Sequence, residues 1–197
     1  MDSKIHAAVR AAEDRPDIAR SIAWNPEEIN VADRSGNPPL ATATILGKYN
    51  ICKVLLEHGA NVNMKNGDGM TPLAIASEQG HYLIAKMYLR FGAQVEEPDA
   101  HGMSPLMWTA WAVRPDCVAL LISEHANINI RCNAGHTALT YAIGDVPPTC
   151  VSRLFSKLEA IGRVTNKMSQ VFLAIKQEQA QQRAEIVEFL LSQGAIV

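Results

Sequence analysis

The chain has 197 residues and a formal net charge of −2, with a pI near 6.3; it lacks the basic stripe that tracking a phosphate backbone requires, so nucleic acid is not an expected partner. Its hydrophobic fraction of 48% supports a continuous core, yet no stretch approaches the roughly 20 apolar residues that span a bilayer, and no membrane insertion is expected. Met1-Asp2-Ser3-Lys4 leads into an Ala-rich stretch with Arg10, Glu13, Asp14 and Arg15, unlike a signal peptide, so a reducing, cytoplasmic setting is expected, with signal-independent export left open.

Taken in chain order, the sequence spells one unit repeatedly. Gly36, Gly69, Gly102 and Gly135 stand 33 residues apart, and Leu40, Leu73, Leu106 and Leu139 keep the same step. Such a period means that one small unit is stacked on copies of itself. Ile51, Ile84, Cys117 and Cys150 form a further column, as do Leu56, Leu89, Ile122 and Phe155, and Val62, Val95, Ile128 and Ile161. The phase runs backwards, since Ile18, Ile22, Ile29 and Asn30 match Ile51, Leu55, Val62 and Asn63. Six units follow, at about 1–32, 33–65, 66–98, 99–131, 132–164 and 165–197, within a single domain.

The unit at 66–98 is the clearest. Asn66-Gly67-Asp68-Gly69 suits a tight reversal. Thr71 offers an N-cap oxygen and Pro72 sits at the first helical position, where its missing N–H costs nothing. A short helix runs through Leu73 and Ala76 to Gly80, and a second carries Ile84, Met87, Tyr88 and Leu89 to Gly92. In the fourth unit His125 takes the place of that terminal glycine, a tolerated residue at positive φ. The fifth is irregular: Val146-Pro147-Pro148 replaces the glycine between helices, and Leu158-Glu159 replaces Gly-Ala. Leu190, Leu191, Gly194 and Ala195 fit the sixth only with three extra residues, and Lys176 to Arg183 is a polar run suited to a solvated terminal cap.

Asp33–Gly36–Pro39–Leu40, Gly69-Met70-Thr71-Pro72-Leu73 and Leu55-Leu56-Glu57-His58-Gly59-Ala60-Asn61-Val62-Asn63 resemble ankyrin repeats. The resemblance covers nearly the whole chain. It implies an all-α solenoid of about six helix–turn–helix units joined by short β-hairpin-like loops. The family usually places a histidine after the motif leucine to tie neighbouring loops. Here Ala41, Ala74, Met107 and Thr140 stand there, and looser loops are expected.

The resemblance also implies a binding groove, concave, lined by hairpin tips and by the exposed side of each first helix. Mapped onto this chain, its candidate residues are Arg34, Ile45, Leu46, Asp68, Met70, Glu78, His101, Met103, Trp111 and His136. Ile45, Leu46, Met70, Met103 and Trp111 are apolar at positions expected to meet solvent, a mark of an interaction site. Trp108 corresponds to Ile75 and is expected in the core, and Trp24 is expected to cover the N-terminal cap.

Neither chemistry nor metal is expected. Cys52, Cys117 and Cys150 lie in or beside the apolar columns, while Cys132 stands in a turn and is expected to be the reactive thiol. No Cys-x-x-Cys or His-x-x-x-His spacing occurs. The histidines fall at unrelated places in the unit, without a triad or dyad, and no phosphate loop is present. The expected function is a monomeric, cofactor-free scaffold or adaptor that holds a protein partner. The alternative is a regulator that masks an enzyme, such as a bacterial effector or immunity-type inhibitor.

Overall fold

The computed structural model of the chain describes residues 4–11, 22, 25–143 and 181–195. Its elements are α1 (Lys4–Ala11), a 3-10 turn (Pro26–Asn30), α2 (Pro39–Ile45), α3 (Tyr49–Glu57), α4 (Pro72–Gln79), α5 (Tyr82–Arg90), α6 (Pro105–Trp111), α7 (Pro115–Ser123) and α8 (Ala138–Ile143). A further helix, α9, spans 181–192. No strand occurs among the described residues. The first helices pack in one row, α1–α2–α4–α6–α8, and the second helices α3, α5 and α7 in another, each against its own first helix. This is the all-α stack that the 33-residue step requires.

Local chemistry sets the helix limits. Thr71 Oγ1 accepts from Ala74 N at 3.2 Å, and Ser104 Oγ from Met107 N at 3.4 Å, each just ahead of a proline. Gly80 ends α4 in the left-handed region at φ 76°. His125 follows α7 at φ 64°, as its place in the glycine column predicts. Val113 is less expected. It shares a column with Gly47 and Gly80 yet holds φ 57°, costly for a β-branched residue. Its side chain is buried against the core.

The row of first helices makes the central core. Leu40, Leu73, Leu106 and Leu139 are buried, and Ala43, Ala76 and Ala142 stand in a small-residue column that lets the helices approach closely. Thr109 replaces alanine there, its hydroxyl donating to the Leu106 and Pro105 carbonyls. Burying such a hydroxyl with its bond made avoids the cost of an orphaned donor.

The turns are closed by their own first residue, with no histidine after the motif leucine. Asp33 Oδ1 accepts from the backbone of Ser35 and Asn37, Asn66 Oδ1 from Asp68 and Met70, and Asp99 Oδ1 from His101 and Met103, all within 3.0 Å. Each side chain mimics a backbone acceptor and closes the loop. Cys132 lacks such an oxygen, and its turn relies on Cys132 N to His136 O and Gly135 N to Cys132 O. Between units, the column Asn30, Asn63, Glu96 accepts from the N–H groups of Asn61, Gln94 and Asn127 at 2.9, 2.8 and 2.6 Å.

The last described helix has a definite neighbour. Arg183 donates to the carbonyls of Tyr141 and Ala142, at 3.1 and 3.2 Å, and to that of Trp111 at 3.5 Å. Arg114 donates in the same way to Glu78, which shares its column with Trp111. Asn129 Nδ2 donates to Gly194 O as Asn63 Nδ2 does to Gly92 O. Ile186 and Leu190 of α9 are buried. The expectations that fall on 144–180 lie outside the described residues.

The turn glycines are set by what lies beyond them. A Cβ on Gly69 would stand 2.8 Å from Ala100 N, whereas one on Gly92, at the end of α5, would meet no described atom within 4 Å; both have φ near 80°. Gly92→Ala should therefore cost only the left-handed strain, about 1–2 kcal/mol. Gly69→Ala should add a clash of about 1–3 kcal/mol, because backbone cannot swing aside. Urea midpoints of the two variants check this, and equal losses would refute it.

Candidate interaction surface

The candidate residues separate into three groups. Arg34, Asp68 and His101 stand exposed on successive turn tips. Ile45 and Leu46, at the end of α2, are 45% and 47% exposed. Glu78, Trp111 and His136 are half-buried. Met70 and Met103 are buried, the latter only 1% exposed, and this corrects the expectation that they line a groove.

The reason lies in the turn. The N–H of each methionine is donated to the Oδ1 of Asn66 or Asp99, and its carbonyl accepts from that same residue's N–H. Met70 and Met103, held at both backbone groups, turn their side chains into the stack, and Asn37, held in the same way, is half-buried. His136, in the same column, lies edge-on to Tyr141 with ring centres 5.9 Å apart.

Trp111 is better anchored than its column predicts. Its ring packs edge-to-face on Trp108 at 5.7 Å and 86°, the geometry that aligns a ring's positive edge with its neighbour's negative face. Trp108 is core, and its Nε1 donates to the buried Asp99 Oδ2 at 3.1 Å. Asp99 thus closes a turn with one oxygen and fixes the tryptophan pair with the other. Burial raises the pKa of the neighbouring Glu78 carboxyl, opposed by hydrogen bonding from Gln79 and by the Arg114 charge. The row is therefore a mixed surface: an apolar end at Ile45 and Leu46, an acid and a tethered tryptophan, with polar turn tips beside them.

The Asn30–Asn63–Glu96 series was not anticipated as a coupling element. Its signal was visible, since those residues recur at the step of 33 with side chains able to accept a hydrogen bond.

The turn position of Cys132 misleads in the same way as the methionines. The first residue of these turns is buried at Asp33 and Asp99 and half-buried at Asn66, and Cys132 is buried with Sγ 3.4 Å from Tyr141 Oη. Cys52 and Cys117 are buried too, and desolvation pushes each thiol up to about 11. Among the described residues no group of three or more His, Cys, Asp or Glu side chains is placed to hold a metal. Cys150 lies outside the described residues. Cys52, Cys117 and Cys132 should all resist alkylation at pH 8 in the native protein and react once urea unfolds it. Fast native labelling of Cys132, read by peptide mass, would restore the exposed turn.

Comparison with known families joins these features to a wider group. A family model described as "Ankyrin repeats (3 copies)" matches residues 5–99 and 80–166. No curated protein matches the chain. No helix among the described residues is long and apolar enough to cross a membrane. Two matched stretches reaching from 5 to 166, over a stack whose first helices pack in a continuous row, make the chain a member of the ankyrin-repeat family.

Proposed function

We propose that the chain is a non-catalytic scaffold or adaptor that binds a protein partner along the turn tips and first-helix row, through Arg34, Asp68, His101, Ile45, Leu46, Glu78 and Trp111. Ankyrin repeats are in general protein–protein interaction modules. The observation that carries the reading is the exposed Ile45–Leu46 pair on a helix whose preceding positions are all buried. An apolar pair left open at one end of a row that carries a half-buried tryptophan two units along is what interface cores use.

Ile45→Ser isolates binding from folding. The residue is exposed, so stability should shift by no more than about 0.5 kcal/mol. Affinity for a partner captured from the source cell should fall by about 1–2 kcal/mol, which titration calorimetry can read. Trp111→Ala should lose about 2 kcal/mol of binding, and should also lower the melting temperature because Trp108 loses its ring contact. Unchanged affinity in both variants would overturn the assignment of this face.

We infer in addition that α8 and α9 form one unit, the fifth. Arg183 then takes the place of Arg114, Ile186 that of Cys117, Leu190 that of Leu121, and Gly194 that of His125. By the step of 33 the place of Arg183 belongs to Pro147, so 36 residues interrupt this unit. The hydrogen bonds of Arg183 and of Asn129 to Gly194 support the reading. A chain with 149–178 replaced by a short flexible linker should keep a single cooperative melt close to the parent's. Loss of that transition would favour separate units at 132–164 and 165–197.

A further inference from the structure

The second-helix row carries two large apolar side chains for which the repeat has no use. Leu83 is 66% exposed and Phe91, just after α5, is 44% exposed. By the 33-residue step Leu83 shares its column with Asn50 and Asp116, and Phe91 with His58 and Glu124. The stack is satisfied by polar residues at both places, so packing does not account for the apolar ones.

These two side chains line a groove between α3 and α5. Tyr49 and Lys53 stand on one side, Leu83, Lys86, Arg90 and Phe91 on the other, and the space measures about 340 Å³. That is the small end of the range for ligand pockets, which runs from about 300 to 1,000 Å³. Its charge is one-sided. α5 holds Lys86 and Arg90 and no carboxylate, and among the described residues neither cation forms an ion pair. Lys86 Nζ lies 5.7 Å from the centre of the Tyr82 ring. Lys53 meets Glu57 at 3.7 Å, a loose contact between half-exposed side chains that gives way readily to a better acceptor.

Cations beside exposed apolar side chains in a concave site select a ligand that is both acidic and apolar. Three cations are too few to follow a nucleic-acid backbone. We propose that the groove between α3 and α5 docks an acidic segment of a partner protein, which seats one or two large apolar side chains on Leu83 and Phe91 while its carboxylates meet Lys86, Arg90 and Lys53. This face belongs to the second helices, so the site is separate from the first-helix row and can be occupied together with it.

The probe is a short fluorescein-labelled peptide with glutamates flanking a Leu–Phe pair, titrated into the full chain and read by anisotropy. Its controls are a peptide with lysine for glutamate and one with serine for Leu–Phe. The acidic apolar peptide should bind at least tenfold more tightly than either, and its affinity should fall as salt rises, because exposed charges are screened. Leu83→Asn and Phe91→His install residues already used in these columns, so the fold should persist and binding should drop about tenfold each. Lys86→Glu with Arg90→Glu should abolish binding without changing the melting temperature. Ile45→Ser should leave it intact, which separates this site from the first-helix face. Equal affinity for the three peptides would overturn the proposal. So would binding only to vesicles of anionic phospholipid, or self-association through this face in sedimentation that Leu83→Asn removes.

Discussion

Every feature of this molecule depends on one constraint: a unit of two short helices cannot bury its own apolar face. A seven-residue first helix such as α2 or α6 is too short to persist alone in water, where isolated helices below about 12–15 residues are marginal. It persists because Leu40 and Leu106 are covered by neighbouring units. Stability is accordingly a property of interfaces between copies. Small residues at Ala43 and Ala76 and bare turn glycines bring the copies close enough for those interfaces to form.

Polar groups serve the same constraint. Asp33, Asn66 and Asp99 close their own turns, while Asn30, Asn63 and Glu96 reach across to the following unit. Arg10 to Asp33 at 2.6 Å ties α1 onto the first regular turn, and Lys65 to Glu97 at 2.7 Å links two later loops. Bonds of this kind, most of them at the surface, fix register rather than supply bulk stability, since each adds only about 0.5–1.5 kcal/mol net. Their spacing makes them count, because a slip by one residue would break all of them together.

The architecture was legible because periodicity reports packing directly. The leucine and glycine columns, the Thr71 cap and the His125 turn all followed from position in the unit. Side-chain direction within the turns was less legible. Met70, Met103 and Cys132 were read as exposed because turns usually lie at the surface, yet backbone bonding to the first turn residue swings these side chains inward. Trp111 was read by analogy with Glu78, but a ring can lie along its neighbour where a carboxylate cannot, and Trp108 provides the surface. The place of α9 was hidden because no step of 33 reaches it. The exposed Leu83 and Phe91 were in plain view, but only comparison with Asn50 and His58 shows that they are out of keeping with their columns.

Val113 has a consequence of another kind. Left-handed backbone costs a branched residue about 1–2 kcal/mol relative to the glycines at 47 and 80. Burying its two methyl groups returns about 1.5–3 kcal/mol. The two terms nearly cancel at Val113, whereas a Cβ on Gly80 would stand 2.8 Å from Arg114 Cδ and one on Gly47 3.0 Å from His81 Cε1, so the exchange balances at 113 and not at 47 or 80. The elbow between the helices is therefore set unit by unit: the side chain that follows it in the next unit decides whether glycine is required, as His81 and Arg114 do at 47 and 80.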